Sequence, residues 1–383
     1  MNYCIIKSNP LLRILVLLFS AILGVLISTA LCFAQDANFQ TPLNNKTFFH
    51  PSHIGILNGV EGGIYSQTIF FGVRPNPINN HAFISGSYKI GKGFYCGQGL
   101  SVNYDSEGAS PRISTTSIKL NAVNIRWFYR KNERINCDNY YTLPNVSMGY
   151  YLGVFNKSIN NGEMIFSKQI VDWTQNPIST ANPELFQSVT KPDFGGSVAI
   201  QFPISRLFIF NNDFWIGNFS YSMHHMQSTG NDKPTEASFI VQNQNVVLPR
   251  YHVISFSLLN KNNLHKEFFV QYEKQQPVRR YMAGINFFIN PQIAFTVTGT
   301  SHNIGKWSRN INSLIFTANM YTKRKEIGRD LFLTKFYISY ASVLTGIGIS
   351  PFVNRFGSLQ IGFKFSRNKG CNLITTGCPS FII

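Results

Sequence analysis

Charge is what this sequence has least of. Asp, Glu, Lys and Arg make up 13% of its 383 residues, about half the share found in an ordinary soluble domain. A soluble chain of this length needs a charged surface, so the composition points away from a large water-exposed globule. Long apolar runs are missing too: after Ala34 no stretch approaches the ~20 apolar residues of a membrane helix. If the rest of the chain spans a membrane, it does so with strands. Acids are the scarcer sign, 17 against 34 Lys and Arg, for a net charge of +17. The basic residues are scattered and form no stripe or run, which argues against nucleic acid as a partner.

Chemical motifs are absent as well. The eight histidines are His50, His53, His81, His224, His225, His252, His265 and His302, and no two stand at a metal-binding helical spacing. His224 and His225 adjoin at a strand end, where alternation sends them to opposite faces, and an interfacial place suits them better than metal ligation. There is no Gly-x-Ser-x-Gly, phosphate loop, dinucleotide fingerprint or Cys-x-x-Cys. Gly91-Lys92-Gly93 and Gly97-Gln98-Gly99 read as strand-turn glycines. The sparse acids leave paired-carboxylate chemistry without a home. The expectation is a non-enzymatic protein with no catalytic residues, cofactor or metal; a site assembled across strands is the alternative that one sequence does not display.

What is present begins with a leader. Lys7 and Arg13 precede an apolar run from Ile14 to Leu31, and Cys32-Phe33-Ala34 precedes Gln35-Asp36. This is a secretory signal layout with cleavage after Ala34, the alternative being a signal anchor. Two of the cations belong to residues 1–34, which leaves +15 of the +17 on the remainder. Four cysteines also remain, Cys96, Cys137, Cys371 and Cys378. In an oxidising compartment Cys371 and Cys378 are candidates for a short disulfide loop, and a Cys96–Cys137 bond is left open.

Aromatic residues are abundant: 34 Phe, 17 Tyr and 4 Trp. From about Gly62 onward the chain reads as strand-length segments with apolar residues at every second position. In 356–366, Leu359, Ile361, Phe363 and Phe365 share a face opposite Ser358, Gln360, Gly362, Lys364 and Ser366. A sandwich shows the same alternation, but its outward face carries many charges. Here the polar face is mostly Ser, Thr, Asn, Gln and Gly, which suits the lumen of a membrane barrel. The segments are about 62–72, 81–90, 93–104, 113–130, 145–157, 193–205, 213–223, 249–260, 265–276, 279–290, 292–302, 311–323, 331–345 and 356–366. Their even number, fourteen, fits an all-β antiparallel transmembrane barrel with both termini in the periplasm. On that orientation the two longest connections, about 158–192 and 224–248, face outward, and tight ones such as Gly91-Lys92 face the periplasm, the one exception to long outside and short inside being the 131–144 segment with Cys137. Alternation slips phase in the fourth segment, which predicts a β-bulge near Asn121–Asn124. Lys89, Lys119, Arg126, Lys335 and Lys364 fall on inward faces. They are either an anion-favouring pore lining or ordinary charges paired in a filled lumen.

Several ordered stretches carry a resemblance. Gln35-Asp36-Ala37-Asn38-Phe39-Gln40, followed by Asn44 to Gly55, resembles the opening of the PorP/SprF family of outer-membrane proteins from the type IX secretion and gliding machinery of Bacteroidota-type bacteria. Against that pattern Lys46, Phe49, His50 and Ser52 are departures, whereas Pro51 and Gly55 match. Similar in order are Asn156-Lys157-Ser158-Ile159 with Phe166 to Ile170, Pro192-Asp193-Phe194-Gly195-Gly196, Met223-His224-His225-Met226, Leu248-Pro249-Arg250-Tyr251 and Cys378-Pro379-Ser380-Phe381. The resemblance implies an accessory barrel that helps to deliver or anchor secreted cargo such as gliding adhesins. Its implied partners are the C-terminal sorting domains of that cargo and periplasmic ring or motor components.

The expected organisation is a signal peptide at 1–34, a periplasmic or plug segment at 35–61, the barrel at 62–366 and a periplasmic tail at 367–383, where Arg367 and Lys369 are candidate contacts. The expected place is the outer membrane. Two functional classes compete: a secretion or tethering component, and an outer-membrane channel or porin for small solutes.

Overall fold

The computed structural model describes residues 40–54, 59–68, 78–91, 94–107, 112–128, 144–160, 189–205, 214–227, 250–260, 266–275, 278–290, 292–304, 307–322, 325–327, 330–345 and 357–369. The leader, Cys137, Cys371, Cys378 and the Phe166–Ile170 and Cys378–Phe381 stretches lie outside these residues. Fifteen strands follow one another: β1 Gly59–Thr68, β2 Ile78–Gly91, β3 Phe94–Glu107, β4 Arg112–Phe128, β5 Asn145–Asn160, β6 Val189–Ser205, β7 Phe214–His224, β8 Tyr251–Asn260, β9 Lys266–Gln275, β10 Val278–Asn290, β11 Ile293–Ile304, β12 Trp307–Tyr321, β13 Lys325–Ile327, β14 Asp330–Thr345 and β15 Ser358–Lys369.

Apart from β12 and β13, each strand pairs antiparallel with its neighbour in sequence, and β1 pairs with β15. β12 bypasses β13 to pair with β14, from Asn312↔Thr345 to Tyr321↔Lys335. Fourteen strands thus close into a barrel, while the three-residue β13, among the described residues, pairs with β14 alone. Closure satisfies every edge, which a sheet in lipid requires. Among the described residues no helix is long and apolar enough to cross a membrane.

The barrel is inverted relative to a soluble core. On β5, Met148, Tyr150, Leu152 and Val154 are exposed while Ser147, Tyr151 and Phe155 are buried. On β15, Ile361, Phe363 and Phe365 are exposed while Gln360, Lys364 and Ser366 are buried. Such a continuous apolar exterior is far larger than the exposed patches of soluble monomers and needs lipid around it. The phase slip in β4 is a register shift against β5 between Leu120↔Leu152 and Val123↔Tyr150. One extra residue lets Ile118 and Leu120 on one side of the bulge, and Ile125 and Trp127 on the other, all face outward.

Two boundaries differ from the sequence reading. β1 starts at Gly59, so the segment before the barrel is shorter than 35–61. β15 runs to Lys369, pairing Arg367 with Val60 and Phe332, so Arg367 and Lys369 belong to the last strand and do not open a tail. The ladder continues because β1 and β14 both extend to meet it. Arg367 is exposed and lies 5.4 Å over the Phe332 ring.

Candidate functional site: a segment seated in the lumen

Residues 40–54 lie inside the barrel. Asn45 accepts from the amides of Phe48 and Phe49, and His50 donates to the Lys46 carbonyl at 2.8 Å, winding one helical turn, α1, over Lys46–Phe49. Pro51 ends it, since the residue before a proline is driven from helical geometry, and His50 is extended at φ −132°. A 3-10 turn over Pro51–His53 follows. Phe48 and Phe49 pack edge to face and join Tyr65, Phe83, Tyr251, Val253 and Tyr337 in a buried cluster. An apolar core therefore exists, but it is gathered around this segment within a polar lumen.

Strands from around the barrel hold the segment through side chains. The Gln40 amide donates to Gln360 Oε1 at 3.0 Å on β15. Asn44 receives Lys335 Nζ at 2.5 Å on β14 and donates to Asn319 Oδ1 at 3.2 Å on β12. Tyr337 OH donates to Asn45 Oδ1 at 3.1 Å. Lys46 pairs with Glu267 of β9 at 3.1 Å. His50 Nε2 meets Ser255 Oγ of β8 at 2.8 Å. On β7, Ser222 and His224 both donate to the Phe49 carbonyl, at 2.6 and 2.9 Å, and Ser220 meets His53 Nε2 at 2.8 Å. The Ser52 amide donates to Ser197 Oγ of β6. On β4, Asn124 donates to the Pro51 and Ile54 carbonyls, and Arg126 to the Ser52 carbonyl at 3.4 Å. Backbone groups that a short irregular segment leaves open are thus satisfied by the barrel wall.

Gly149 of β5 shows how closely the segment passes. A Cβ there would stand 2.4 Å from the Pro51 carbonyl carbon and 2.5 Å from the Ser52 nitrogen, so only glycine allows the approach. A cavity of about 30 Å³, lined by Leu43, Lys46, His50, His53 and Ser255 among others, remains between the segment and the wall. It has room for about one water. Burial, with His224 and Lys46 nearby, lowers the His50 pKa to about 3; burial, with His50, Lys46, Arg126 and Lys364 nearby, holds His53 well below its ordinary value. Both imidazoles are neutral at physiological pH.

A second polar cluster flanks the seat. Asp193 of β6 accepts from His225 Nδ1 at 2.8 Å and from the Tyr151 hydroxyl at 3.4 Å, and lies 3.8 Å from Lys119 Nζ. Lys119 sits 4.7 Å from the Tyr151 ring centroid. His225 has a left-handed backbone at φ 56°, and this breaks the alternation that sequence predicts. His224 and His225 are both buried, one toward the segment and one toward Asp193, and neither is interfacial. Gly195 makes room, because a Cβ there would meet the Met223 carbonyl at 2.6 Å.

Four of the five basic residues placed inward by sequence are buried in the lumen: Lys119, Arg126, Lys335 and Lys364. Lys364 pairs with Glu61 at 3.1 Å, and the other three bind Asp193, Ser52 and Asn44 as above. Lys89 shares the inward phase of β2 but is exposed near that strand's end. Cys96 is a buried free thiol. Among the described residues no group of His, Cys, Asp or Glu is placed to hold a metal ion. Sequence reasoning missed the pairing of Asp193 with His225 and the seating of Phe49 on His224. The only signal was that both stretches belong to the ordered family-like set.

Comparison with solved structures finds other outer-membrane barrels at low identity. The monoaromatic hydrocarbon channel CymD shares 11% identity over 85% of this chain and 92% of its own, with a TM-score of 0.47. The toluene transporters TbuX of Ralstonia pickettii and TodX of Pseudomonas putida each share 10% identity. TbuX covers 85% of this chain and 93% of its own with a TM-score of 0.42, and TodX covers 87% and 95% with 0.40. A comparison with curated protein sequences finds no match. The family model described as type IX secretion system membrane protein PorP/SprF matches residues 31–365, which includes the seated segment and nearly all of the barrel. The chain therefore belongs to the PorP/SprF family of type IX secretion system membrane proteins.

Proposed function

We propose that this protein is a plugged, non-enzymatic outer-membrane scaffold of type IX secretion that assists delivery or surface anchoring of specific cargo, such as gliding adhesins. The observation that carries the reading is the seat. Inward side chains of eight strands bind residues 40–54, and the lumen lysines and arginine are engaged by acids or by that segment. A lumen spent on holding its own chain favours a scaffold over a solute channel. The partners on this reading are periplasmic ring or motor components and the C-terminal sorting domain of the cargo, with the lipid bilayer around the barrel. The exported chain reaches the outer membrane by way of a cleaved signal peptide.

Affinity capture of the full-length protein from detergent-solubilised outer membranes tests this. Ring components and a sorting-domain protein are expected in the captured material. Their absence, together with a stable anion-selective conductance of the wild-type protein in planar bilayers, would replace the scaffold by the channel.

A further inference from the structure

Strands β8 to β10 carry a basic row on their outer face, above an aromatic row that begins on β7. The row lies at the end of the barrel where the connections across 161–188 and 225–250 leave. Across the sheet Met223 faces His252, His252 faces Lys274, and Lys274 faces Arg279. Arg250, just before β8, acts electrostatically on His252, and Arg279 acts on Lys274. One step toward the barrel's middle stand Tyr221, Tyr272 and Tyr281. The Tyr221 hydroxyl is 2.9 Å from His252 Nδ1, and the rings of Tyr272 and Tyr281 are 5.0 Å apart. Tyr281 is 50% exposed. Between residues 250 and 325 the only acids are Glu267 and Glu273, and both turn into the lumen, to Lys46 and to Tyr251 and Arg280.

Height decides what such a row meets. On β10 the outward apolar band runs from Tyr281 to Ile289, eight residues apart. At ~3.3 Å per residue and ~40° tilt this is roughly 20 Å, close to the ~25 Å apolar band of an outer-membrane barrel. Tyr272 and Tyr281 thus sit at the girdle, with Lys274 and Arg279 at headgroup level. Long connections mark this end as the external one.

We propose that Arg250, His252, Lys274 and Arg279 bind the phosphate groups of an outer-leaflet glycolipid of the lipid A class. A guanidinium fork and an ammonium recognise phosphate oxygens in charge-assisted bonds, and the tyrosine row beneath offers flat faces to the sugar ring. The inference rests on outer-membrane placement with this end outward, but not on the secretion role.

The test uses the full-length protein in phosphatidylcholine vesicles containing diphosphoryl lipid A, followed by native mass spectrometry of the extracted protein. Wild type is expected to retain lipid A. K274Q/R279Q is expected to retain it more than about tenfold less, and K266Q, altered at the other end of β9, to retain it like wild type. Retention unchanged in K274Q/R279Q overturns the proposal. Equal retention of phosphatidylglycerol overturns the outer-leaflet source, and equal retention of dephosphorylated lipid A overturns phosphate recognition. If K274Q/R279Q does not fold, R250Q/H252Q is read by the same criteria. Lipid A binding without capture of secretion components leaves this inference standing and removes the proposed scaffold role.

Discussion

The Lys364–Glu61 pair illustrates what individual residues contribute to this lumen. Its atoms are 3.1 Å apart and almost fully buried, so each charge depends on the other for solvation. Glu61→Gln strands the ammonium and is expected to cost ~3–5 kcal/mol in urea unfolding from micelles, whereas E61Q/K364M recovers most of that loss. Equal loss in both variants would mean that the pair contributes little. The histidines of the seated segment give a pH dependence. His50 is neutral in place down to about 3, while the released segment titrates near 6.5. Above pH 6.5 neither state is protonated and seating is unpenalised. As pH falls from 6.5 toward 3 the released His50 alone takes up a proton, so seating weakens by up to ~1.4 kcal/mol per pH unit, and His53, also held neutral in place, acts in the same direction. A cysteine placed at Thr41 is therefore expected to react faster with a thiol reagent at pH 5 than at pH 7.5, after correction for thiolate fraction. Equal corrected rates would contradict the neutral seat.

The β4 bulge makes a prediction at the scale of the element. The extra residue between Leu120 and Val123 separates two stretches whose outward residues are even-numbered before it and odd-numbered after it. Deleting Ala122 joins them into one unbroken alternation, with Leu120, Ile125 and Trp127 in the same outward phase. The deletion is expected to leave a heat-modifiable, folded barrel with a stability change within ~1 kcal/mol. Deleting Thr317 from β12, where pairing with β14 is regular from Ser313 to Tyr321, turns half the strand inside out and is expected to prevent assembly. Gel migration with and without heating reads both. The phase slip that predicted this bulge was legible because it is a local property of one strand. The extension of β15 to Lys369 was not legible, because polar residues at a strand end look like the start of a loop until their partners Val60 and Phe332 are known.

For the molecule as a whole, the barrel is closed by its own ladder and does not require the seated segment for edge pairing. Removing residues 40–54 is expected to leave an inserted barrel that conducts ions in planar bilayers, its opened lumen lined by Lys119, Arg126, Lys335 and Lys364 together with the acids Glu61, Asp193 and Glu267. Loss of insertion, or no conductance above wild type, would show that the segment is part of the folding core and does not close the lumen.

The sequence by itself determined the strands, their even number and which face meets lipid, since period-two alternation is written residue by residue and needs no partner. By parity alone it put five lysine and arginine side chains on inward faces, of which four are buried in the lumen and Lys89 is exposed near its strand's end. Only the tertiary structure decided what they meet there. Gln40 finds Gln360 across 320 positions, Ser52 finds Ser197 across 145, and the His225 backbone leaves the strand to reach Asp193. Contacts of that separation exist only once the barrel has closed, because closure is what brings fourteen inward faces around one short segment.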